Sequence, residues 1–110
     1  MNLVSQAEKL CDRQLQRIAP PTLYIAGFRT AAGDELALER HREALFCWAQ
    51  PRTHAGAPCA PWKVYPTSKS RNSNLNAKNC PRLKAGASVH YWKFDSLDVF
   101  ERFLAWYSKR

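Results

Sequence analysis

Glycine is scarce in this chain: only 4 of its 110 residues are Gly. Gly27, Gly33, Gly56 and Gly86 stand too far apart to form a phosphate-cradling loop. No apolar run approaches the ~18 residues that cross a bilayer. Glu8 and Lys9 also interrupt the stretch where a secretory hydrophobic region would lie. The expectation is a cytoplasmic protein with no membrane partner. The four cysteines, Cys11, Cys47, Cys59 and Cys80, include no close pair of the C-x2-C kind that preforms half of a zinc site. A G-x-S-x-G elbow and a reactive-cysteine signature are both missing. No cofactor, metal or catalytic set is expected, and the chain reads as non-enzymatic.

The most informative shortage is of acid. Between Glu43 and Asp95 there is no Asp or Glu, while the same interval holds Arg52, Lys63, Lys69, Arg71, Lys78, Arg82, Lys84 and Lys93. Elsewhere basic and acidic residues balance, so the whole net charge of +8 belongs to residues 44–94. That interval also carries Trp48, Trp62, Tyr65, Tyr91 and Trp92. Point charges for phosphates and flat rings for stacking are the ingredients of a polyanion-binding face. Basic loops are also ordinary solvated loops, and aromatics ordinary core, so the pattern nominates a surface without fixing it.

What the sequence does contain is ample material for a core. It is 45% hydrophobic, with 5 Phe, 4 Trp and 4 Tyr, and residues 1–110 are expected to fold as one domain. Val4, Cys11, Leu15 and Ile18 share a stripe, predicting a helix over 3–18 that Pro20 and Pro21 end. Residues 22–29 are rich in β-formers and read as a central strand. After a turn at Gly33-Asp34, residues 34–49 return to helical spacing through Leu38, His41, Leu45 and Trp48. Residues 51–61 read as a proline-rich loop, 62–65 as a short strand, and 66–84 as a basic loop rich in Asn and Ser. Residues 88–94 alternate as a strand. Asp95 then reads as the N-cap of a last helix with Leu97, Phe100, Phe103, Leu104 and Tyr107 on its apolar stripe.

The expected fold is therefore α+β in the order α-β-α-β-β-α, a small, mostly antiparallel sheet of about three strands with three helices. From residue 22 the order is ferredoxin-like without a final strand. Phe94-Asp95-Ser96-Leu97-Asp98-Val99-Phe100 resembles the strand-to-helix junction of dimeric α/β-barrel proteins, which share that fold. The resemblance implies architecture and carries no catalytic motif. His41-Arg42-Glu43 and Pro58-Cys59 resemble parts of the zinc nucleobase deaminase signature, but position 62, where its second cysteine falls, is Trp62. Cys47, His54, Cys59 and Cys80 remain an open question of convergence.

The function expected is that of a small binding module whose basic, aromatic-containing middle engages nucleic acid or a nucleic-acid-handling protein complex. Lys63, Lys69, Arg71, Lys78, Arg82, Lys84 and Lys93 supply its charge, and Trp62, Tyr65, Tyr91 and Trp92 its stacking rings. Asn72, Asn74, Asn76 and Asn79 add hydrogen-bonding groups. One alternative is a phage or mobile-element inhibitor, of the anti-CRISPR or another anti-defence type, that docks the same surface on an acidic partner. A second is an enzyme of the dimeric α/β-barrel type. An uncovered sheet edge would also admit a homodimer.

Overall fold

The structure, a computed structural model, describes residues 2–109. Its first element is the helix α1, Leu3–Gln14, which buries Val4, Ala7, Leu10 and Cys11 at helical spacing. Asn2 caps it, its side chain accepting a 2.8 Å hydrogen bond from the Ser5 N–H. The strands β1 (Gln16–Arg17), β2 (Ile25–Arg29), β3 (Glu35–Glu39), β4 (Leu45–Ala49), β5 (Lys63–Tyr65) and β6 (Val89–Phe94) follow, and α2, Leu97–Tyr107, closes the described chain. The strands form one sheet in the order β1-β2-β3-β4-β6-β5 with every neighbouring pair antiparallel.

This architecture corrects the expected one: the fold is α+β, with two helices and a six-stranded antiparallel sheet. The third helix expected over 34–49 is the hairpin β3-β4. Because all the pairings are antiparallel, the sheet contains no β-α-β crossover, and the ferredoxin-like order is not realised. The expected 3–18 helix stops at Gln14, and β1 follows it, pairing Gln16 with Arg29 and Arg17 with Phe28. Phe94 does end a strand just before a helix, as expected, but Ser96 rather than Asp95 is the cap, its Oγ accepting from the Val99 N–H at 3.2 Å.

The pleat divides the sheet residues between two unlike faces. Ala26, Phe28, Leu36, Leu38, Leu45, Cys47, Trp92 and Phe94 point toward the helices, where Phe100, Phe103, Leu104 and Tyr107 of α2 complete the main core. Tyr107 ties helix to sheet: its hydroxyl donates to the Glu35 carbonyl at 2.6 Å and accepts from the Gln50 N–H at 2.9 Å. Arg52 completes this corner by donating to the Tyr107 carbonyl and pairing with buried Asp34 at 2.8 Å.

Among the described residues no helix lies on the opposite face. There Ile25, Ala37, Phe46, Trp48, Val89 and Tyr91 form a second, smaller core, into which the 66–84 segment inserts Leu75, Cys80 and Leu83. The asparagines of this segment hold its shape. Asn72 Oδ1 accepts from the Asn74 N–H, Asn76 Oδ1 from the Lys78 and Asn79 N–H groups, and Asn79 Oδ1 from the Asn76 N–H. It is therefore a lid folded onto one half of the sheet rather than a free loop. Arg82 pins its end, donating its backbone N–H to Glu35 Oε1 at 2.8 Å and its guanidinium to the Gly33 carbonyl at 3.0 Å.

Candidate functional site

The lid seals β2 and β3, and over the β4-β6-β5 end of the same face its residues 70–72 border an open cleft. On β6, alternation puts Val89, Tyr91 and Lys93 on this face and Trp92 on the other. Register then sets Tyr91 opposite Trp48 on β4 and opposite Lys63 on β5. Trp62, just ahead of β5, is anchored by its N–H donating to the Tyr91 carbonyl at 2.8 Å. Tyr91 becomes the hub of a ring cluster, with centroids 4.0 Å from Trp48, 5.2 Å from Phe46, 5.7 Å from Trp62 and 6.1 Å from Tyr65. Such pairs contribute about 0.5–1.5 kcal/mol each beyond their buried area, so the cluster is a rigid platform. Tyr91 is its floor, 6% exposed, whereas Trp62 is 49% exposed and Tyr65 is half-buried.

Cations stand around these rings. Lys63 Nζ lies 4.6 Å from the Trp62 centroid, Lys69 Nζ 4.7 Å from Tyr65, and the Arg42 guanidinium 4.4 Å from Phe46. Lys93 Nζ sits between Trp62 and Phe46, at 5.6 and 5.9 Å. Each of the four is solvent-exposed. The ring faces hold the side-chain ends near the platform while their N–H groups remain in water.

Platform and rim enclose an open cleft of about 480 Å3 bordered by Trp62, Tyr65, Tyr91, Arg42, Arg71 and Asn72. At its base is Glu39 of β3, only 6% exposed. Its Oε2 accepts from Trp48 Nε1 at 2.9 Å and from Asn72 Nδ2 at 3.3 Å, joining platform and lid. Arg42 Nε forms an ion pair with Oε1 at 3.6 Å, longer than a hydrogen bond. Burial pushes the Tyr91 hydroxyl well above its ordinary range, and the negative charge of nearby Glu39 pushes it further. A second recess of about 250 Å3 adjoins the first, sharing Glu39, Arg42 and Asn72 and adding Tyr24, His41 and Asn74.

Of the residues nominated from sequence, the structure brings Trp62, Lys63, Tyr65, Lys69, Arg71, Tyr91 and Lys93 together here. Arg71 is a brace rather than a free cation: its guanidinium donates to the carbonyls of Pro66, Lys69, Leu83 and Lys84, and burial lowers its pKa. Trp92 is 1% exposed in the helix-side core against Phe103 and Trp106, so it is no part of this surface. Lys78 and Lys84 are exposed on the lid, Lys78 beside Pro20, Pro21 and Thr22, and Arg82 is engaged by Gly33. The lid asparagines are committed to one another and to Glu39. Sequence reasoning missed Arg42 and Glu39, which lie outside the acid-free interval in a segment read as helix; the signal available was the Gly33-Asp34 turn ahead of 35–39.

The two faces also separate the cysteines: Cys47 lies in the helix-side core and Cys80 under the lid. Among the described residues no three His, Cys, Asp or Glu side chains are placed to hold a metal ion, and no helix is long and apolar enough to cross a membrane. Compared with models of known protein families, with characterised proteins and with solved structures, the chain matches none.

Proposed function

We propose that this chain is a binding module for single-stranded nucleic acid, which it holds in the cleft between Trp62, Tyr65 and the lid. One observation carries the reading: a half-exposed tryptophan and tyrosine flank a concave floor, and four exposed cations, Arg42, Lys63, Lys69 and Lys93, stand within 6 Å of the cluster's rings. A ring accepts an unstacked base of any sequence, and the cations accept the phosphates on either side. A single strand fits better than a duplex because duplex bases are already stacked and cannot reach Trp62. Both helices, the usual elements for entering a major groove, pack their apolar stripes on the other face.

The test is fluorescence anisotropy with labelled eight-nucleotide single strands and a matched duplex at two salt concentrations. Single-strand binding that weakens with salt and weakens again on changing Trp62 to Ala supports the reading. Absence of binding at low salt overturns it. Capture of a protein partner that survives nuclease treatment, in a protein that binds no oligonucleotide, would assign the surface to an acidic protein instead.

A further inference from the structure

Bases stacked on Trp62 or Tyr65 would be held by their faces, which distinguishes none of them, but Glu39 adds a chemical preference at the cleft base. A carboxylate offers about four acceptor sites. Trp48 and Asn72 occupy two of them, both on Oε2, while Oε1 faces only the Arg42 guanidinium, ion-paired to it at 3.6 Å and too far for a hydrogen bond. The acceptor capacity that remains, on Oε1, belongs to a group that borders both recesses.

Resting on the single-strand reading above, we propose that Glu39 selects bases carrying an amino donor and rejects uracil and thymine. Cytosine presents its N4 amino group, adenine its N6 amino group, and guanine adjacent N1 and N2 donors, all of which a carboxylate accepts. Uracil and thymine present the O4 carbonyl where cytosine has its amine, and their one donor, N3–H, is recessed between two carbonyls, so a carboxylate approaching it meets flanking acceptors that repel it in a partly desolvated cleft. Arg42 stands next to the same carboxylate and over Phe46, so its guanidinium is placed for the phosphate of the selected nucleotide while Glu39 takes the base. Asn72 donates to Glu39 and has its own Oδ1 tied to Asn74, which fixes the carboxylate's orientation.

The experiment compares oligo-dC and oligo-dU of eight nucleotides, pyrimidines of equal size that differ at the position-4 substituent and the adjacent N3. The unmodified protein is expected to bind oligo-dC at least about fivefold more tightly, the lower end of what one well-made base contact supplies. Replacing cytosine by N4,N4-dimethylcytosine removes the donors without touching the protein and is expected to abolish the preference. In E39Q the amide oxygen keeps the Trp48 and Asn72 hydrogen bonds, so its NH2 faces the base, donates to O4 and repels the cytosine amine; the preference is expected to disappear or turn toward oligo-dU. Equal binding of oligo-dC and oligo-dU by the unmodified protein overturns the selectivity while leaving the single-strand reading standing. Retention of the preference in E39Q, or with dimethylcytosine, removes Glu39 as its source. Failure of both oligonucleotides to bind removes the single-strand reading, and this inference with it.

Discussion

The carbonyl oxygen of Asn79 lies 2.0 Å from the point where a side chain on Gly27 would begin. The lid therefore rests on the bare backbone of β2, and the closeness of that approach sets the height of the lid above the sheet. Leu75, Cys80 and Leu83 fill the remaining space on either side. The Gly27→Ala variant is expected to lose about 1–3 kcal/mol of stability, the usual cost of forcing atoms into a filled site. Urea denaturation followed by tryptophan fluorescence checks this; an unchanged midpoint would show that the lid can rise without loss.

Trp62 separates function from stability because half of it is in water and its contacts lie at the rim of the cluster. Changing it to Ala is expected to weaken oligonucleotide binding by about 1–3 kcal/mol, the worth of one base-aromatic stack. The thermal midpoint is expected to move little. Anisotropy and calorimetry on the same preparation measure both, and a large stability loss would make Trp62 a core residue in practice.

The division of cations gives a second test. Four rim contacts to a single strand correspond to a log-log salt slope of about −2.8. Changing Lys63, Lys69 and Lys93 to Ala is expected to flatten it by about 2, whereas changing Lys78 and Lys84, on the lid and away from the rings, is expected to leave it unaltered. Equal effects of the two sets would mean that charge acts diffusely and the cleft is not the site.

Tyr107 joins α2, β3 and the end of β4 through one hydroxyl. Phenylalanine there keeps the ring among Phe103 and Trp106 but leaves the Gln50 N–H and the Glu35 carbonyl without that partner. The expected cost is about 1–3 kcal/mol, the desolvation penalty of groups left unpaired. Equilibrium urea unfolding of Y107F provides the measurement, and a change below about 0.5 kcal/mol would show that water replaces the hydroxyl.

Stability is also expected to depend on pH through His90. Burial lowers its pKa below the ordinary 6.5, and nearby His54 lowers it further. A folded-state pKa below the unfolded one means that the unfolded chain binds more protons as the pH falls past 6.5. This contribution is therefore complete above that pH and is lost as the pH falls through the folded-state value. The urea midpoint is expected to drop between pH 7.5 and 5.5, and to drop less in H90Q; an equal drop in both would assign the effect to other groups.

How far the sequence could be read depended on whether local composition agreed with the element that forms. Residues 3–14 and 97–107 bury a single stripe, and their 3.6-residue period showed plainly. Residues 35–39 are buried on both sides, Leu36 and Leu38 toward the helices and Glu35, Ala37 and Glu39 toward the lid, and the alternation of Leu with Glu, broken at Ala37, is too short to stand out from a helical pattern. Its Glu, Leu and Ala composition favours helix locally, and tertiary pairing overrides that preference. Glu35 and Glu39 would be wet on a helix; here Arg29 and Arg82 partner one, while Trp48 and Asn72 partner the other.

The sequence alone determined where the charge lies, because the acid-free interval of residues 44–94 is a property of composition. It also supplied the rings that share that interval. Only the tertiary structure decided which of them meet. Tyr91 and Trp92 are neighbours of similar character, yet the pleat sends the first to the platform and the second to the core, and strand register chooses Lys63 and Trp48 as the partners of Tyr91. Arg42 and Glu39 join the cleft from outside the interval because the β3-β4 hairpin carries them there. Charge follows from counting along a chain, but a site depends on which face each residue takes, and that is fixed only when the strands pair.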